Sequence, residues 1–587
     1  MRHIARPRGL RRVRLARGLL AVAAGAAALA LVPAAASALP VGPLDPSWGR
    51  HGTLETATDG DLASIAGAWL LPGGASVVLG LGIVEGGTPS LDLRRYGATG
   101  RRTAGFPAAG FADLGGSYAP SAALRSPDGR ILSAGGFVDG ATGESTFAVV
   151  RHTASGARDL AFGMGGARAV PALAGIAATA VAADGTGRIV AAGPAANSAS
   201  GTRVPARIGV ARLDATGTPD PAFGTGGAAT VALPGLEAVG YSQADAGWLF
   251  PATIAAVVPR SGGGALVAGS AISAGLNRSV AFVAALRSDG SLDPSFGSGG
   301  VATFTPLGTL DTTVGAATAS GGRIVLAVTQ WRRLAPRRIG DTSRGWWARE
   351  SATGVVRLRL TGAVDRAFGT GGYSRIPFPQ PAHASALHVL RDGRLLLGAG
   401  APYQDVRFLF ARLRSTGAYD GTFGGGRACV VTPSGGPQAL ATDAGGGGLA
   451  AAGAGPGDAG IFFFARLRAR FAAPAVACPA ASTDLAENRA GPIGRTTVRF
   501  LAARRVRVGI AVWTSNGAGQ PQRVGEASLG WQRAGLRTAA WNGRIAGASV
   551  DLGPTGLAWF QLVARDARGR RLGASPRTLI ARDRLYR

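Results

Sequence analysis

Tryptophan and arginine crowd together in one short stretch of this chain, and indole faces beside guanidinium forks suit sugar rings, anionic glycans or an acidic protein surface. The stretch is residues 330–350, where Trp331, Trp346 and Trp347 lie among Arg332, Arg333, Arg337, Arg338 and Arg344. A second stretch, residues 233–251, adds Tyr241 and Trp248. The opposing expectation is that these tryptophans pack down as a lid and the arginines are merely solvated.

Reactive chemistry has fewer places to sit. The five histidines are His3, His51, His152, His383 and His388, and no two stand at the four-residue spacing that puts two ligands on one helix face. There is no G-x-S-x-G elbow and no H-E-x-x-H, and the absence of lysine excludes a phosphate loop of the G-x-x-x-x-G-K type. Two cysteines, Cys429 and Cys478, cannot build a zinc site without suitably spaced histidines, so neither a metal nor another cofactor is expected. Two carboxylates brought together from distant parts of the chain could still cleave a glycoside. A secreted hydrolase or lyase acting on polysaccharide, with its site on the axis of the fold, is therefore the competing expectation to non-enzymatic binding. A purely structural surface protein is the third.

A repeat must position these residues. An aromatic residue followed by a glycine-rich turn recurs seven times, as LDPSWGRHG, TAGFPAAG, DLAFGMGG, DPAFGTGG, DPSFGSGG, DRAFGTGG and DGTFGGG. The aromatic residues, Trp48, Phe106, Phe162, Phe223, Phe296, Phe368 and Phe423, are each expected to wedge into a seam between units. Within the phrase Asp bonds nearby backbone, Pro presets one φ angle and Gly permits positive φ; one carboxylate per copy is too few for a calcium loop. Between phrases come four short strands, of which the third, such as RIVAAGP and RLLLGAG, is apolar throughout and so buried on both faces. Seven units of four strands predict an all-β, seven-bladed β-propeller over residues 44–471, a ring that protects its sheet edges by closing on itself. A β-solenoid is the alternative.

Successive aromatic residues are 58, 56, 61, 73, 72 and 55 positions apart, so the fourth and fifth units are swollen, and they hold the two stretches described above. One lies between the first and second strands of its unit and the other between the third and fourth of the next. In an antiparallel sheet both connections emerge at the same end, so the insertions are expected to meet. The first strands, such as TLET, ARAV and VATF, carry no acid apart from Glu55, which argues against carboxylates clustered at the axis.

The phrase LDxxFGxGG, together with DGRIL-x-AG and F-x-x-ARL, resembles the bacterial delta-60 repeat across residues 44–471. The copy around Phe106 lacks the Asp, and one copy of DGRIL reads Ser320-Gly321-Gly322 instead. The resemblance implies an extracytoplasmic, propeller-like array and no defined chemistry. After residue 471 the pattern stops. Residues 472–491 are expected to be a linker, and residues 492–582 a small β-sandwich of alternating strands. Trp541-Asn542-Gly543, Gly547, Pro554-Thr555-Gly556 and Trp559-Phe560 resemble the immunoglobulin-like domain of the flagellar hook-capping family, which implies spacing or docking.

At the other end, an arginine-rich start, an apolar run from Leu19 to Val32 and the small residues Ala36-Ser37-Ala38 read as a signal peptide over residues 1–38. The protein is expected to be exported, secreted or held at the cell surface, with no membrane span left after cleavage. The formal charge of +29 includes seven arginines of this segment, leaving +22. Anionic cell-wall polymers, glycans or a surface protein are the expected partners; no nucleic-acid reading module is present. In an oxidising compartment Cys429 and Cys478 could pair, tying the linker to the closing blade.

Overall fold

The computed structural model describes residues 43–58, 62–83, 90–104, 116–195, 203–239, 252–308, 310–331, 351–379, 382–400, 407–431, 437–453, 461–471, 474–483, 493, 496–515, 521–550, 558–575, 577–579 and 581–582. These residues hold strands and two 3-10 turns, and no α-helix. The chain lays down one antiparallel meander after another. After β1 (Thr53–Ala57), a first group is β2 (Leu62–Leu70), β3 (Ser76–Ile83) and β4 (Ser90–Tyr96). Next come β5 (Gly116–Arg125), β6 (Ile131–Asp139), β7 (Ser145–His152) and β8 (Ala167–Ala174), then β9 (Ala180–Ala183), β10 (Ile189–Pro194), β11 (Arg203–Leu213) and β12 (Ala228–Val239). β13 (Thr253–Pro259), β14 (Ala265–Ser273), β15 (Arg278–Leu286) and β16 (Val301–Phe304) follow, and then β17 (Asp311–Ser320), β18 (Arg323–Trp331), β19 (Ser351–Arg359) and β20 (Tyr373–Ile376). β21 (His383–Val389), β22 (Leu395–Gly400), β23 (Arg407–Leu413) and β24 (Arg427–Val431) precede β25 (Ala439–Thr442), β26 (Gly448–Gly453) and β27 (Ile461–Leu467).

The last sheet is completed from the other end of the chain, because β1 pairs antiparallel with β27 from Thr53 opposite Ala465 to Ala57 opposite Ile461. The leading strands pack in turn, β2 on β5, then β9, β13, β17, β21 and β25, and β25 packs back on β2. The array is thus propeller-like and closed. Its second strands are the apolar ones: β14, β18, β22 and β26 are almost wholly buried, each between two neighbouring sheets.

The sheets are offset by one strand from the units read in the sequence. TLET, ARAV and VATF fall in β1, β8 and β16, which lie on the outer edge of the preceding sheet, not beside the axis. The reason is that the turn phrase links the third and fourth strands of a sheet rather than opening a new one. In the phrase itself Phe162, Phe223, Phe368 and Phe423 are fully buried, as are Trp48 and Phe296, while Phe106 lies outside the described residues. Trp48, Phe162, Phe223, Phe296 and Phe368 each rest on a glycine of the following unit, whereas Phe423 packs against Phe471: a Cβ on Gly217, at φ +86°, would stand 2.8 Å from Phe162, and one on Gly417, at φ +88°, 3.1 Å from Phe368. Only glycine combines that backbone angle with that approach.

A second body follows. β28 (Val476–Thr483), β29 (Thr496–Ala502), β32 (Gly535–Trp541) and β38 (Ala581–Arg582) form one sheet. β30 (Val506–Ser515), β31 (Pro521–Gln532), β35 (Ala558–Arg565), β36 (Arg571–Ala574) and β37 (Thr578–Leu579) form another, and β33 (Arg544–Ile545) with β34 (Ala548–Ser549) makes a small hairpin. Val498, Phe500, Val508, Ile510, Phe560 and Leu562 share their core. The linker expected over residues 472–491 therefore needs correction, since β28 is a paired strand of this body. Cys429 and Cys478 form a disulfide with Cα atoms 5.6 Å apart. It joins β24 to β28, so it fastens the second body to the sheet before the closing one rather than to the closing sheet itself.

Candidate functional site

Both swollen stretches leave the ring at one rim, and the contacts can be followed strand by strand. Glu237 on β12 pairs with Ile272 on β14, and Ile272 pairs with Ser279 on β15. The Ser279 amide donates to Asp311 Oδ1 at 2.7 Å, Asp311 opens β17 opposite Trp331, and Trp331 closes β18 opposite Ser351. The flanks of residues 240–251 and 332–350 therefore stand side by side. The first stretch does not lie within one unit, as the sequence spacing suggested; it connects β12, the last strand of one sheet, to β13, the first of the next.

Tyr241, Trp248, Arg332, Arg333, Arg337, Arg338, Arg344, Trp346 and Trp347 lie outside the described residues. Trp331 is described, and it corrects the reading of it as a ligand contact. Only 5% of its surface is exposed, because it is the last residue of a strand enclosed by neighbouring sheets. It forms part of the wall from which the longer stretch departs.

Below that rim sits a band of buried polar groups that the sequence did not announce. Bulges between Val314 and Ala316 and between Ala384 and Ala386 take amides out of register with their own sheets. The Val314 amide donates to Ser270 Oγ at 2.7 Å and the Ala384 amide to Thr329 Oγ1 at 2.8 Å, so in each case the preceding sheet supplies the acceptor. Ser279 Oγ donates to the Thr312 carbonyl at 3.1 Å, and Thr353 Oγ1 to the Ala382 carbonyl at 2.6 Å. Ser270 and Thr329 stand at neighbouring places in otherwise apolar strands, and that misplaced polarity is the signal that could have found them. Their job is to lock adjacent sheets at the rim, which makes it a rigid base.

The axis offers little for catalysis. Among the described residues of the innermost strands β2, β5, β9, β13, β17, β21 and β25, the one carboxylate is Asp311, held by Ser279 as above. The others are chiefly Ala, Gly, Ser, Thr and Val. His383 and His388 lie on β21, and burial lowers both pKa values, so both are neutral at pH 7. No group of histidine, cysteine or carboxylate residues able to hold a metal occurs among the described residues.

The opposite end of the ring carries the charges. Arg151, Arg212, Arg357 and Arg412 each stack on the aromatic residue of their own phrase, at 4.5, 4.7, 4.7 and 4.5 Å, and each bonds its aspartate, Asp159, Asp220, Asp365 and Asp420. In the phrase of Phe296 the matching position is Ala285, and Arg260, from a different hairpin, reaches Asp293 at 2.8 Å. The Ser295 hydroxyl and Arg260 hold the Asp293 carboxyl at about 2. These groups fasten one unit to the next, and they are structural.

A ring of short antiparallel sheets with strap-like closure and a rim of longer connections defines a β-propeller-like protein. In agreement, residues 126–162 and 185–223 match the family model described as a domain of unknown function (DUF5122) β-propeller. Three solved structures are similar in outline. The β-propeller domain of the Trilobed protease from Pyrococcus furiosus is 8% identical, with a TM-score of 0.32 over 69% of this chain and 94% of that one. Drosophila Plexin A in complex with Semaphorin 1b is 8% identical, TM-score 0.31, over 73% and 88%. The endo-arabinase from Bacteroides thetaiotaomicron is 12% identical, TM-score 0.23, over 50% and 95%. At these scores none bears on function. No curated protein matches the chain.

Proposed function

We propose that residues 44–471 are a seven-bladed β-propeller of delta-60-like repeats, followed by an immunoglobulin-like module, and that the protein is an exported, non-enzymatic binding scaffold of the cell surface or its surroundings. Residues 240–251 and 332–350 are the binding loops, and their partner is a glycan or anionic envelope polymer. The single observation that carries this reading is the shared rim, where Ser279 joins Asp311 and so sets the flanks of both stretches beside each other. The cyclic packing of the leading strands, with β1 sealing β27, supports the blade count. The polar groups under the rim suit a fixed platform, and loops on a fixed platform are where recognition resides. A hydrolase would want paired carboxylates near the axis, and the innermost strands supply Asp311 alone among the described residues.

The test is retention of the purified protein on isolated cell wall. Replacing Trp346 and Trp347 together with alanine should lower retention at least fivefold while the melting temperature stays the same. Equal retention of the double variant and the parent would end the reading.

A further inference from the structure

Basic charge is concentrated in the second body. Residues 472–587 hold 18 arginines and six acidic residues, a net +12, whereas the far longer segment 39–471 holds 37 and 27, a net +10. Part of that surplus forms a row. Across the outward face of one sheet, Trp531 on β31 stands opposite Arg507 on β30, Arg507 opposite Arg565 on β35, and Arg565 opposite Arg571 on β36. Val506 and Val508 on either side of Arg507 are fully buried in the core, so Arg507 points outward. Arg505, of the same parity, lies with its guanidinium 5.1 Å from the centre of the Trp531 ring.

Like charges directly opposite each other weaken a sheet. Here three arginines stand opposite one another on adjacent strands, whose backbones lie roughly 5 Å apart. One is neutralised: Arg565 pairs with Glu526 through two contacts, one at 3.0 Å, and the pair crosses β30 over Gly509, where a side chain would collide with the carboxylate. Among the described residues Arg505, Arg507 and Arg571 form no ion pair. Trp531 is 47% exposed beside them. The second aromatic pair of the same face, Trp513 opposite Trp559, is different in kind, since Trp513 is 7% exposed under Arg577 and serves packing.

We infer that this row is a binding site for a polyanionic polysaccharide, carboxylated or sulfated, and that the second body is a glycan-binding module in its own right. A chain of sugars lying across the strands would meet the indole of Trp531 on β31, which offers a flat face to one ring, then Arg507 on β30 and Arg571 on β36 as cations. An unpaired array of this sort is screened by salt, so binding should weaken as ionic strength rises. The inference uses none of the propeller's loops, so it stands or falls independently of the proposal above.

Heparin and polygalacturonate serve as sulfated and carboxylated probes for the intact protein, with duplex DNA, inorganic polyphosphate and neutral dextran as comparators. The parent should bind at least one of the two glycans and not dextran. The double variant Arg507→Gln, Arg571→Gln should lose at least tenfold in affinity, Trp531→Ala at least threefold, and Arg507→Lys should retain most of the binding, all with unchanged melting temperature. The Trp346, Trp347 double alanine variant should bind these probes as the parent does. Undiminished affinity in the arginine double variant, absence of glycan binding at low salt, or equally tight DNA or polyphosphate binding that ignores Trp531→Ala would each overturn the assignment.

Discussion

Arg412 shows how much one residue type does in this fold. It is completely buried, stacks on Phe423, bonds Asp420 at 2.7 Å and Thr422 at 3.0 Å, and donates to the carbonyl of Ala469, just beyond the last strand of the next sheet. Asp420→Ala would strand that guanidinium in the interior, and breaking a buried pair in this way costs about 3–5 kcal/mol. Urea denaturation should show the loss. Burial alone would raise the Asp420 pKa, but bonds from Arg394 and Thr422 outweigh it and hold the carboxyl far below its usual range. Asp128 and Asp293 are held at about 2 by Ser126 and Ser295 respectively, with help from neighbouring arginines. Carboxylates depressed on folding stabilise the protein fully above about pH 4, and that stability fades as pH falls toward 2. Asp293→Asn should flatten part of the acid limb of a stability–pH curve. His152 acts over a higher window. It is fully buried, and burial with the nearby Arg158 pushes its pKa down to about 4. The unfolded imidazole takes up its proton near 6.5, so stability should drop between about pH 6.5 and 4, by at most about 3 kcal/mol, and His152→Gln should remove that slope.

At the scale of elements, the seams between sheets are set by a ring against a glycine. Gly417 sits at φ +88°, and a Cβ there would approach the Gly369 amide to 2.7 Å as well as Phe368. Gly417→Ala combines a disfavoured backbone with overpacking and should cost about 2–4 kcal/mol by chemical denaturation. The same change at Gly143, at φ +71° with open space around it, keeps only the backbone penalty of about 1 kcal/mol. Sequence reading found the phrase, its aromatic residue and its turn glycines because each is local. It missed the arginine that stacks on the ring, because Arg412 lies on β23 and Phe423 in the turn beyond it, and the two meet only when that turn folds back on the sheet. Asp293 keeps only its second arginine, Arg260, from the turn between the first and second strands, the same turn that supplies Arg130 to Asp159, Arg323 to Asp365 and Arg394 to Asp420, a pairing across more than twenty residues that local spacing does not reveal.

For the molecule as a whole, the ring is sealed by β1, a strand supplied from the opposite end of the chain. A variant beginning at residue 59 would leave the β27 edge from Ile461 to Ala465 unpaired, and open edges recruit other strands. Such a variant should elute as dimers or larger species in size-exclusion chromatography with light scattering, while the parent elutes according to its own mass in the same buffer. The disulfide is the other long-range tie. Closing a loop of 49 residues is worth about 4 kcal/mol in the chain-entropy account. Cys429→Ala with Cys478→Ala should lower the melting temperature and speed proteolysis between the two bodies.

The all-β character, the repeating turn phrase, the presence of one wholly apolar strand per unit and the two swollen stretches could all be read along the chain, because hydrophobic period, turn chemistry and repeat length are properties of sequence neighbours. Folding settled which strand ends one sheet and which begins the next, which strands face the axis, and that Trp331 is wall rather than surface. It also decided that Arg507, Arg565 and Arg571 line up. Those facts depend on register between strands far apart in sequence, and a shift of one strand in the pairing would have changed every one of them.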